Sequence, residues 1–157
     1  MKSSPSVTRA ARARALEWRR TRRVATESGT YFRQNSSWGI VTGTPMKIVV
    51  PSGRTRLVTA RFTASAACPN ASGDSGWPCY LRVIAQRGSN APLVLYPRAT
   101  GQAAIIASSP GYNHAVAVDR SIRLPAGTWV VSVQARSNDG STAIYLEGWH
   151  FTLDMMT

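Results

Sequence analysis

The chain has 157 residues, which suits one domain with an appendage better than two domains. A hydrophobic fraction of 43% permits a sizeable core, while a charged fraction of only 17% argues against a helical bundle, whose surface needs more Glu, Lys and Leu. A formal net charge of +12 calls for an acidic partner or surface without naming one. No stretch approaches the ~20 apolar residues of a membrane helix, so no membrane partner is expected.

The charge is concentrated at the start. Residues 1–33 hold nine basic and two acidic residues, and lysine occurs only at Lys2 and Lys47. No apolar segment follows the positive start, so it does not read as a secretory signal. Its likeness to an organelle transit peptide is compositional only. From Thr8 to about Thr26 the composition favours a helix: Ala10, Ala11, Ala13, Ala15, Leu16 and Glu17 lie among arginines, with no Gly or Pro. Ser6 or Thr8 can cap it. Its apolar face is thin (Ala11, Ala15, Trp18), so the helix is expected to dock on something else. Arg9, Arg12, Arg14, Trp18, Arg19, Arg20, Arg22 and Arg23 are the candidate partner-binding residues. Carboxylates of a neighbouring protein are the preferred partner. Nucleic acid is the lesser reading, because Trp18 alone is a poor stacking platform and the β domain shows no clustered aromatic–basic strand face.

Residues 27–45 read as a connector rich in Ser, Gly, Thr and Asn, and Tyr31, Phe32 and Trp38 predict that it packs. The expected boundary leaves residues 1–37 as basic arm and connector and residues 38–157 as a β domain. From Met46 the pattern has period two. Val58, Ala60, Phe62, Ala64 and Ala66 alternate with polar residues, as do Cys79, Leu81, Val83 and Ala85, and Trp129, Val131, Val133 and Ala135. A last run, 143–153, contains Gly148, a candidate bulge. Shorter candidate strands are 46–50, 91–96, 102–107 and 114–124. Turns are expected at Pro51–Gly53, Arg87–Asn90, Ser109–Gly111 and Pro125–Gly127, and a hairpin at Asp139-Gly140. About eight strands at this spacing predict an all-β antiparallel sandwich, jelly-roll-like, behind a largely helical basic arm.

Cys68 and Cys79 bracket a turn-rich loop. The spacing is wrong for a metal site and favours a disulfide, with two reduced, buried thiols as the other reading. Gly73-Asp74-Ser75-Gly76 matches the nucleophile segment of chymotrypsin-like proteases. However, both histidines, His114 and His150, lie downstream of it, and the chain is too short for two barrels. His114, His150, Asp119 and Glu147 are isolated polar positions rather than an acid–base or metal set. Paired acids and Gly-rich phosphate loops are absent. No catalysis, metal or cofactor is expected.

The segments Arg61–Cys68, Gly76–Ile84, Asp119–Gln134 and Ile144–Leu153 resemble a β-sandwich domain of actinobacteriophage minor tail and other virion structural proteins. Members of that family pair a short Cys–Gly-Trp–Cys segment with a strand of the kind seen at Arg123–Gln134. They end in a strand like Trp149–Leu153; Glu147-Gly148 departs from the two acids usual there. The resemblance covers residues 46–153 and leaves out the arm. It implies a non-enzymatic virion structural protein, in the tail or decorating the capsid, with other virion proteins as partners. It also implies a homo-oligomer, a trimer by analogy; the disulfide read from the cysteine spacing would suit a particle outside the cell. Two alternatives are a host-surface carbohydrate-binding module using Trp77, Tyr96 and Tyr112, and a capsid component contacting nucleic acid through the arm.

Overall fold

The computed structural model describes residues 20–69, 79–96, 104–106, 114–138 and 142–156. These form antiparallel strands, with no helix among the described residues. The strands are β1 (Arg20–Arg33), β2 (Gly39–Ile40), β3 (Met46–Ala67), β4 (Cys79–Gln86), β5 (Leu93–Val94), β6 (Ala104–Ile106), β7 (His114–Arg136) and β8 (Ile144–Met156). Their order is β1-β8-β3-β7-β4-β5, with β2 also pairing β7 and β6 pairing β4.

The long strands β3 and β7 run through both halves of the fold. Their ladder pairs Met46–Val50 with Gly127–Val131, breaks, and resumes from Thr55 opposite Pro125. Pro51–Gly53 and Pro125–Gly127 were expected to be turns that end strands. Instead they lie opposite one another inside two continuous strands. Proline supplies no ladder donor, and Gly53 sits at φ +69, where a side chain would be strained. Because the two irregularities coincide, both strands can bend together and keep their pairing on either side. One layer then contains β1, β8, late β3 and early β7; the other contains β2, early β3, late β7, β4, β5 and β6.

The expected alternation is what fills the space between the layers. Val58, Ala60 and Phe62 of β3 and Phe151 and Leu153 of β8 share one buried cluster with Leu81 and Val83 of β4 and Val131 and Val133 of β7. Burying each large apolar side chain contributes about 1.5–3 kcal/mol. Gly148 is the bulge anticipated in the last strand: its φ is +52, and the β3–β8 register shifts between Thr63 and Ser65. The shift changes which parity faces inward. Ile144 and Leu146 are buried before it, and Trp149, Phe151 and Leu153 after it. Without that extra residue one of the two runs would point at solvent.

Two expectations are corrected. The helix drawn to Thr26 does not exist from Arg20 onward, where the chain is strand β1, paired along β8 from Arg20↔Met156 to Arg33↔Ile144. Helix propensity is a weak term, and the free edge of β8 outweighs it, because pairing lets Ala25 and Tyr31 pack against the core. The sheet therefore includes residues that the sequence reading left in the arm and connector; residues 1–19 lie outside those described. Similarly, β7 and β8 do not form the hairpin expected at Asp139-Gly140, a pair that itself lies outside the described residues. The strands on either side of it, β7 and β8, are separated by β3. The Arg87–Asn90 turn is present, closed by the Asn90 amide donating to the Arg87 carbonyl at 3.1 Å.

Candidate functional site

The basic arm reaches the sheet through β1, its terminal strand. Of the candidate arm residues, Arg9, Arg12, Arg14, Trp18 and Arg19 lie outside the described residues, and Arg20 is placed by its backbone alone. Arg22 turns back onto its own fold: its Nε lies 3.6 Å from the carboxylate of Asp154, a side chain only 5% exposed. Arg23 pairs in register with Leu153 and is exposed. The second edge of β1 is unpaired among the described residues. Val24 and Phe32 are half exposed along the strand, and Phe32 rests against Tyr145 with ring centroids 4.9 Å apart.

A disulfide joins Cys68 to Cys79 across a Cα–Cα distance of 5.9 Å. It connects the end of β3 in one layer to the start of β4 in the other. The Gly73–Gly76 segment inside this loop lies outside the described residues, as do Trp77 and Tyr112. Tyr96 is half exposed and bridges Ser121.

Of the four polar residues singled out, His150 and Asp119 have side-chain partners within the sheet. His150 stands between two threonines, with the Thr26 hydroxyl 2.9 Å from Nδ1 and the Thr152 hydroxyl 3.1 Å from Nε2. Asp119 accepts from Arg61 Nε at 3.0 Å. No group of three metal-ligating side chains occurs among the described residues.

One constellation was not anticipated. The β domain was expected to lack a clustered aromatic–basic face, yet the β4–β7 register builds one. Tyr80, itself buried, lies opposite Arg136, and the half-buried Arg82 lies opposite Gln134, all on the side of the strands away from Leu81 and Val83. Trp38 reaches the same place from the start of β2. The Arg82 guanidinium sits 4.1 Å from the Trp38 ring centroid, and Arg136 lies 5.0 Å from Trp38 and 4.9 Å from Tyr80. Arg82 Nε donates to Gln134 Oε1 at 2.7 Å, and the Tyr80 hydroxyl donates to Asn138 Oδ1 at 3.2 Å. Burial, and then the neighbouring charge of Arg136, push the Arg82 pKa down. The signal was present in sequence as the polar alternates of two strands, but only the pairing shows that they meet.

No family model and no curated protein matches this chain. Among solved structures, it is similar to a chain in a structure of the infectious bursal disease virus Gx strain. That match has a TM-score of 0.47 and 8% identity, and it covers 88% of this chain and 32% of that one. The chain thus spans about a third of that protein. It is also similar to a carbohydrate-binding module, CBM6cm-2, from Cellvibrio mixtus lichenase 5A in complex with cellotriose (TM-score 0.34, 19% identity, coverage 84% and 85%). A third is the CBM22-1 xylan-binding domain of Paenibacillus barcinonensis Xyn10C (TM-score 0.35, 11% identity, coverage 87% and 85%).

Proposed function

We propose that this chain is a non-enzymatic structural protein of a virion, a minor tail or capsid-decorating component of an actinobacteriophage, held in the particle by its basic N-terminal arm. The observation that supports this most is the continuity of the arm with the sheet. In sequence the arginine-rich segment runs straight on into β1, a 14-residue strand at the end of the sheet order. A partner that grips the arm therefore pulls on the sandwich itself. The edge of β1 that is unpaired among the described residues gives that partner a second handle, since unpaired N–H and C=O groups accept an added strand. Arginines and a bulge between Glu27 and Thr30 restrain unspecific pairing there. In this reading the partners are other virion proteins, and copies of the chain associate, as a trimer by family analogy, within a jelly-roll-like sandwich.

Lys2 and Lys47 are the only lysines, which makes a clean test possible. An amine-reactive crosslinker applied to purified particles should join Lys2 to another virion protein. Particles that lack the chain altogether would remove the reading.

A further inference from the structure

The hydrogen-bonding groups left over around Arg82 and Arg136, on the outer face of β4 and late β7, are chiefly donors. Gln134 spends its oxygen on Arg82 and Asn138 spends its oxygen on Tyr80, so both amide NH₂ groups remain to donate. The terminal nitrogens of Arg82 and Arg136 add more donors. The Nε of Arg136 is buried and has no hydrogen-bond partner. Neither guanidinium forms an ion pair among the described residues, whereas Arg22 and Arg61 on the other layer each have one.

Two cations held side by side repel, and partial burial worsens the cost. Ring contacts and a short bond to Gln134 nevertheless fix both of them. A fixed, donor-rich, doubly cationic surface is complementary to an oxygen-rich anion that takes guanidinium bonds in pairs. Bases of a nucleic acid would need an open ring to stack on, and the Trp38 ring already carries Arg82 at 4.1 Å. The amides suit ring hydroxyls beside the acid group.

We infer that Trp38, Tyr80, Arg82, Gln134, Arg136 and Asn138 form a recognition site for an acidic saccharide, with the Arg82–Arg136 pair receiving a uronate carboxylate. The inference uses no residue of the arm, so either proposal can fail without the other.

The experiment titrates the full chain with tetragalacturonate, and in parallel with a neutral galactose tetramer and a single-stranded oligothymidine. Saturable binding of the uronate alone is expected. Arg82→Gln and Arg136→Gln should each weaken it about 10- to 100-fold, the usual loss for a charge-assisted contact. Arg54→Gln, at an exposed arginine elsewhere, should leave it unchanged. Arginine Nε–H and indole N–H signals of the unmutated chain give a second readout that does not depend on variant folding: those of Arg82, Arg136 and Trp38 should shift together. Equal binding of the neutral tetramer, no binding, tighter oligothymidine binding lost with the same variants, or shifts confined to other arginines would each overturn the inference.

Discussion

On the outer side of β1, β8, late β3 and early β7, Arg22 lies 3.6 Å from Asp154 and Arg61 lies 3.0 Å from Asp119. On the outer side of β4 and late β7, Arg82 and Arg136 crowd one indole with no carboxylate beside them among the described residues. The two faces come from the same strand alternation and share one core. They differ in what stands opposite each arginine across the ladder. Arg61 meets Asp119, while Arg82 meets Gln134 and Arg136 meets Tyr80. Each of these two arginines on the first face has a carboxylate of its own, whereas Arg82 and Arg136 have none among the described residues and are left to an outside anion in the inference drawn above.

The comparison depends first on the two layers being held together, and Cys68–Cys79 is the covalent tie between them. Reducing it, or replacing both cysteines by serine, is expected to cost about 2–3 kcal/mol in urea unfolding, the chain-entropy value for a short loop. No change in midpoint would mean that the bond restrains nothing.

On the first face the two ion pairs should separate sharply. Asp154 is almost fully covered and Asp119 is exposed, at 5% and 62% of the side chain. Asp154→Asn should cost about 1–2 kcal/mol, because a buried acceptor loses its charge-assisted contact. Asp119→Asn should cost less than about 1 kcal/mol, as solvent-screened pairs do. Equal costs would show that burial does not set the difference.

The smallest effect concerns pH. Burial raises the pKa of Tyr31 above its ordinary 10.0, and the nearby Arg33, which favours the phenolate, only partly opposes this. The folded chain therefore holds that proton more tightly than the unfolded chain. The resulting stability is whole below pH 10 and is lost as pH rises through the higher folded value. Tyr31→Phe should flatten that part of the alkaline decline in melting temperature. An unchanged decline would mean that Tyr31 does not titrate against the core.

The alternation at Val58–Ala66, Cys79–Ala85 and Trp129–Ala135 was readable in sequence because burial of one face imposes period two locally. Gly148 was readable because a bulge favours glycine. Pairing was not readable. Pro51–Gly53 and Pro125–Gly127 look like turns until each is seen to face the other, and β1 looks helical until β8 offers an edge. The Trp38 constellation was missed for the same reason. Its members lie on separate elements between residues 38 and 138, and register alone brings them together.

Incorporation into the particle is expected to depend on what precedes β1. The most direct measurement compares particle incorporation of a chain starting at Arg20 with that of the full chain, with folding checked by thermal unfolding of both. Deleting through Arg33 would strip β1 and uncover β8, so the cut must fall before Arg20. The chain that begins at Arg20 is predicted to melt within a few degrees of the full chain and to be absent from purified particles. Normal incorporation of that shortened, folded chain would contradict the account.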